Sequence, residues 1–99
     1  MRVVRVGSLP EGALDAAVEF HAKALPELLP PHPGEDLVLV FTPASRDHRG
    51  WRLAAVQDLA RAAAPARVNA IAGDDEAAIA ETLAYLERAP GVTGQLLAV

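Results

Sequence analysis

The side chains best equipped for chemistry are Thr42, Ser45, Arg46, His48, Arg49 and Arg52, all between positions 42 and 52. They follow an unbroken apolar run, Leu37–Phe41. The polar end of such a buried strand is where α/β folds place their ligands. One histidine and three arginines there could hold an anion, with Gly73, Asp74 and Asp75 as the opposite wall. The candidate ligand cleft is Thr42, Ser45, His48, Arg49 and Asp74. The opposing reading is a solvated helix start, since Asp47 and Asp58 lie near enough in sequence to neutralise the arginines. Ser45 and His48 do not have the spacing of a nucleophile and its base, and a serine in a polar loop usually caps a helix or makes a turn. His32, His48 and Asp74/Asp75 are not paired at i and i+4 on a helix face. The histidines therefore read as surface residues, with His21 on the flank of the first helix, and no metal site is expected. Cysteine is absent, which removes thiolate chemistry, disulfides and Cys-ligated zinc.

Three strand–helix units and a closing strand have to position these residues. Val3–Val6 is a short β-branched strand, flanked by Arg2 and interrupted by Arg5, which suits a sheet edge. Ser8-Leu-Pro-Glu11 fits a capping box for the first helix, with Leu14, Val18, Leu25 and Leu28 as its apolar stripe. Pro26 is expected to kink or end that helix, and Pro30, Pro31 and Pro33 close the segment. Leu37–Phe41 has the pattern of a parallel strand covered on both faces. The second helix turns Trp51, Val56, Leu59, Ala60 and Ala63 inward and stops at Pro65. Arg67–Ala72 is the third strand, and Gly73 is expected to permit a sharp exit. Asp74, Asp75 and Glu76 open the third helix at the positive end of its dipole, and its stripe is Ile79, Leu83 and Leu86. Gln95–Val99 is the last strand. The order β-α-β-α-β-α-β over residues 1–99, without repeat or linker, predicts one parallel α/β domain.

Bulk properties narrow the function further. Of the 99 residues, 52% are apolar but only 4% aromatic, so the core is built from Ala, Val and Leu. A net charge of −4, with arginines scattered along the chain, argues against nucleic acid, which needs clustered cations. The N-terminal apolar run is broken by Arg5 and does not resemble a signal peptide. No stretch approaches a membrane span, so the expectation is a cytoplasmic protein without membrane partners.

The stretch Leu59-Ala-Arg-Ala-Ala-Ala-Pro-Ala-Arg-Val-Asn-Ala-Ile-Ala-Gly73 is similar to a segment of the short-chain dehydrogenase/reductases. There a helix ending in "Leu-Ala-x-x-x-Ala-Pro" leads into a strand "Arg-Val-Asn-x-Ile-x-Pro-Gly". The tail, with Thr93-Gly-Gln95 followed by Leu96-Leu-Ala-Val99, resembles that family's closing segment. The resemblance covers residues 37–99 and extends faintly over 1–36. It implies a small Rossmann-like sheet of about four strands with three helices, equivalent to the C-terminal half of the family fold. It also implies what is missing. No G-x-G-x-x-G or G-x-x-x-G-x-G turn exists to cradle a dinucleotide pyrophosphate. The family's catalytic Tyr-x-x-x-Lys pair falls on Ser45 and Arg49, and its serine falls on Thr42. A serine hydroxyl lacks the acidity of a phenol, and arginine presents its charge in another geometry than lysine.

The sequence therefore predicts a non-catalytic dehydrogenase-like domain without cofactor or metal, acting as an oligomeric interaction or regulatory module. The alternative is a binder of small anions using the Thr42–Arg49 loop. Right-handed crossovers stepping in one direction put all three helices on one sheet face, yet Leu37–Phe41 needs cover on both. Either the third helix crosses over, or another subunit covers the bare face. Because the family's interface helices match residues 11–28 and 49–64, a homodimer is expected.

Overall fold

Leu37–Phe41 is buried at every position, and its two faces belong to two separate cores. In the computed structural model, which describes residues 1–99, this strand is β2 of a four-stranded sheet. The others are β1 (Arg2–Arg5), β3 (Val68–Ala72) and β4 (Leu96–Ala98). All neighbours are parallel, in the order β1-β2-β3-β4, with Leu39 paired to Val4 on one side and Ala70 on the other. The expected α/β architecture and the edge position of β1 are thus both present.

The first helical arm is α1 (Ala13–Glu19), a π-helical turn (Phe20–Ala24) and α2 (Leu25–Leu28). Next come a 3₁₀ turn (Arg46–His48), α3 (Arg49–Ala63) and α4 (Glu76–Glu87). Phe20 and Leu28 of the arm pack with Ala55, Val56 and Leu59 of α3 against Leu37, Leu39 and Phe41. The odd-numbered side chains of β2 thus face both of these helices. Val38 and Val40 point the other way, into a smaller core with Ile71, Ile79 and Leu86. Helix α4 therefore lies alone on the second face. Since every crossover steps in the same direction, β3-α4-β4 has the opposite hand to the two before it. The rule of uniform right-handedness gives way because the double-sided apolar strand must be covered.

Several local expectations are corrected. Leu14 and Val18 do not face the core; they are 78% and 61% exposed, and Ala16 and Phe20 take the inward row. The π-helical turn explains the difference. Its wider i→i+5 bonding precedes Pro26, which has no N–H to offer an α-helical bond, and it rotates α2 relative to α1. Leu28 consequently faces inward while Leu14 does not. No Ser8–Glu11 capping box forms: α1 starts at Ala13, with Gly12 as its N-cap and no side-chain cap. Pro26 does not end the arm but sits in the first turn of α2. Gly73 has no unusual backbone angle. It is needed for close approach, because a Cβ there would stand 2.6 Å from the Val99 carbonyl oxygen.

The two halves of the family-like sequence pattern bond to each other at the N-terminal end of the sheet. The Val68 N–H donates to Thr93 Oγ1 (3.1 Å), and the Gly94 N–H to the Val68 carbonyl (2.7 Å). Gly94 has φ +71°, a left-handed value that suits glycine. Buried Asn69 accepts the Gln95 N–H through Oδ1 and donates Nδ2–H to the Val92 carbonyl. Arg67 completes the clamp. Its guanidinium pairs with Asp36 ahead of β2 and donates to the Leu86 and Ala89 carbonyls, satisfying the free end of α4. No helix is long and apolar enough to cross a membrane.

The Arg67 backbone N–H bond, reinforced by the guanidinium's charge, holds the Asp36 carboxyl below its ordinary value of 3.8, against the opposing effect of partial burial. A carboxyl whose folded-state value is depressed stabilises the fold above its unfolded value, and that stabilisation is lost as pH falls through the folded one. Asp36→Asn should therefore cost about 1 kcal/mol at pH 6, a modest figure because the carboxylate is part-exposed. In urea unfolding the gap to the parent should shrink steadily below pH 4. A gap that persists undiminished to pH 2 would count against the pair.

A cationic cleft at the carboxyl ends of the strands

Beyond Phe41 the chain turns through Thr42-Pro43-Ala44 into the 3₁₀ turn, and α3 begins without a side-chain cap. This geometry sets Ser45, Arg46, His48, Arg49 and Arg52 around one cleft of about 300 Å³, closed on its far side by residues of β3 and β4. Of the five predicted site residues, Ser45, His48 and Arg49 meet there. Thr42 lines a second cleft of about 220 Å³ across the Pro43–Ser45 loop, which shares Ser45, His48 and Arg52 with the first. Asp74 does not line either cleft; it meets Thr42 in a third pocket, with Arg5 and Glu76. Its neighbour Asp75 caps α4, accepting the N–H groups of Ala77 and Ala78. Arg5 crosses the sheet end to pair with Glu76 at 2.8 Å.

His48 is buried, not a surface residue as its loop position suggests. Nε2–H donates to the Glu11 carbonyl at 2.8 Å, and Nδ1 accepts the Trp51 indole N–H at 3.3 Å. These partners fix the tautomer and engage both ring nitrogens. No lone pair is left to serve Ser45 as a base, and Ser45 itself is exposed. His48 instead pins α3 to the start of the first arm, where Trp51 packs against Phe20 and Phe41 at ring-centre distances of 5.4 and 5.8 Å.

Arg52 is the unexpected member. It is only 4% exposed, and its guanidinium lies 4.5 Å from the Phe41 ring centre. Nη1 donates to the Thr42 carbonyl at 2.9 Å, while the buried Nε has no acceptor at all. None of the ion pairs in the molecule includes it. Burial pushes its proton affinity below the ordinary arginine value. The cleft it lines contains Arg46 and Arg49 as well, and no aspartate or glutamate. The sequence carries a usable signal for this: counting back from Leu59, Val56 and Ala55 by helical steps lands on position 52, inside the buried face.

A nicotinamide dinucleotide, the cofactor that the family resemblance brings with it, does not fit these residues. Its pyrophosphate needs a tight glycine turn against a helix N-terminus. The two glycines with positive φ, Gly34 and Gly94, precede β2 and β4, at the other end of the sheet. The β1–α1 connection carries Leu9-Pro10 where close backbone approach would be required. The sole tyrosine, Tyr85, and sole lysine, Lys23, line neither cleft.

The parallel sheet with helices on both faces and a cleft at the carboxyl strand ends is a Rossmann-like α/β domain. A family model described as short chain dehydrogenase-like protein matches residues 4–99, so the chain belongs to the short-chain-dehydrogenase-like family. No curated protein and no solved structure matches it.

A buried cation without a counter-charge costs more than the packing it supplies. The Thr42 carbonyl is at an exposed residue and would find water if Arg52 were removed. Arg52→Met, which keeps the side chain's length against Phe41, should therefore leave stability unchanged or raise it by about 2 kcal/mol in dilute anion-free buffer. Thermal unfolding checks this, and a loss of more than about 1 kcal/mol would show that the guanidinium serves the fold itself.

Proposed function

We propose that this chain is a non-catalytic short-chain-dehydrogenase-like domain that works by binding and assembly. The observation that carries the reading is the residue set at the strand ends. A serine and an arginine stand one helical turn apart where the family has tyrosine and lysine, and His48 has both nitrogens committed. Nothing at that end combines an acidic proton donor with a hydride carrier's cradle. Titration calorimetry with NADH or NADPH should give no saturable heat. The double change Ser45→Tyr and Arg49→Lys should restore no carbonyl reduction, and turnover by either protein would overturn the reading.

Assembly is supported by an apolar row on the outer side of the first arm. Leu14, Val18 and Leu29 are all large and exposed, with Ala22 between them. Alanines 54 and 62 are exposed on α3, whose neighbour across this face is α1. Small residues let two helix pairs approach closely about a two-fold axis, the commonest symmetry of soluble oligomers. A second reading, binding of a small anion, is favoured by buried, unpaired Arg52 in a cleft without acidic residues. The two readings are compatible, since the apolar row lies on the arm and the cleft at the strand ends.

Light scattering across a size-exclusion peak should give twice the 10.4 kDa chain mass at tens of micromolar. Leu14→Glu combined with Val18→Glu should yield a folded monomer, because both side chains are exposed in the isolated chain. A parent protein that elutes as a monomer would refute the assembly role.

A further inference from the structure

We propose that the cleft at the carboxyl ends of β2, β3 and β4 binds a small organic carboxylate with a short apolar body, anchored by Arg52. This rests on the anion-binding reading above and names its ligand class. Three features of the cleft select that class. The first is the free edge of the guanidinium. With Nη1 spent on the Thr42 carbonyl, the Nε–Nη2 side makes no hydrogen bond, and the buried Nε is without an acceptor. That edge presents two parallel N–H groups, the fork that matches the two oxygens of a planar carboxylate.

The second feature is the field. The chain carries a net charge of −4, yet the lining holds Arg46, Arg49 and Arg52 and no acidic side chain. The start of α3, reached through the 3₁₀ turn, adds the positive end of a 15-residue helix. Two of the three acidic residues after Gly73 are engaged elsewhere: Asp75 caps α4, and Glu76 is held by Arg5, while Asp74 is exposed.

The third feature is the opposite wall. It is formed by Ala72, Gly73, Leu96, Ala98 and Val99, with no side-chain donor among them. A phosphate presents acceptor oxygens in all directions and would leave those on this side unmet. A carboxylate directs its oxygens to one side and turns hydrocarbon to the other. The volume, about 300 Å³, corresponds to about ten waters at the roughly 30 Å³ each occupies in the liquid. A short-chain acid fits that space and a dinucleotide does not. Nε is buried, so a seated carboxylate must displace the groups that cover it to meet it.

Butyrate is the probe, with acetate and inorganic phosphate as comparison arms at constant ionic strength. In ¹H–¹⁵N correlation spectra, butyrate should produce saturable shifts at Ser45, Gly73, Ala98 and the Arg52 Nε–H. It should bind several-fold more tightly than acetate, through the apolar wall, and more tightly than phosphate. Arg52→Met should weaken it at least tenfold while the spectrum stays dispersed. Should that variant not fold, Arg49→Gln, at an exposed position, should weaken butyrate several-fold in a folded protein. Phosphate saturating more tightly than butyrate, with the same dependence on Arg52, would overturn the carboxylate assignment while leaving an anion site. Linear, non-saturable shifts with all three anions, or shifts unchanged in Arg52→Met, would overturn both.

Discussion

Covering one five-residue strand on two sides is the constraint that shapes the whole fold. Leu37–Phe41 has no polar position to offer solvent, so it cannot stand at an edge or carry a bare face. Three helices are available, and two of them, arriving by ordinary crossovers, fill one side. The third passes to the other side even though its crossover then runs against the usual hand. The gain is the burial of Val38, Val40, Ile71, Ile79 and Leu86. At about 25 cal/mol per Å² of apolar surface, a cluster of that size outweighs the handedness preference of a single connection.

The two ends of the sheet divide the labour. At the N-terminal end, the polar side chains that join the elements are answered. Arg67 meets Asp36, the Leu86 carbonyl in the last turn of α4 and the Ala89 carbonyl just beyond it, and Asn69 meets Val92 and Gln95. The sequence patterns most similar to those of dehydrogenases, around Val68-Asn69 and Thr93-Gly94-Gln95, are the two sides of this clamp. They preserve a framework and say nothing of turnover. At the carboxyl end one group is left over: Arg52 is buried with an unanswered Nε. Unsatisfied buried polar groups are rare in native proteins, and this one lies beside a cleft.

Much of the architecture is legible in the sequence because it depends on long runs and strong punctuation. The apolar run at Leu37–Phe41, the stop at Pro65 and the acidic start of α4 each specify one local outcome. The first arm is not legible in the same way. Its α-periodic stripe through Leu14 and Val18 is broken by a π-helical turn, whose wider hydrogen bonding leaves no mark in composition. The small inward row of Ala16 also carries less hydrophobic signal than the leucine it displaces outward. The burial of His48 escapes a sequence reading for a related reason, and that of Arg52 shows only in the helical spacing of position 52. Polar residues read as surface, and only the tertiary contacts with Glu11, Trp51 and Phe41 take them inside. The grouping of Ser45, His48 and Arg49 comes from the loop itself. Asp74 lies outside that cleft although Gly73 beside it lines it, a difference of one position that no local pattern encodes.

The position of α4 tests this account most directly, since both cores and the open carboxyl end depend on it. In a methyl-labelled sample, nuclear Overhauser contacts report which strand face each helix touches. The methyls of Ile79 and Leu86 should show contacts to Val38, Val40 and Ile71, and none to Val56 or Leu59. Contacts from Ile79 or Leu86 to Leu39 or Val56 would place α4 on the same face as α3 and contradict the two-sided sheet.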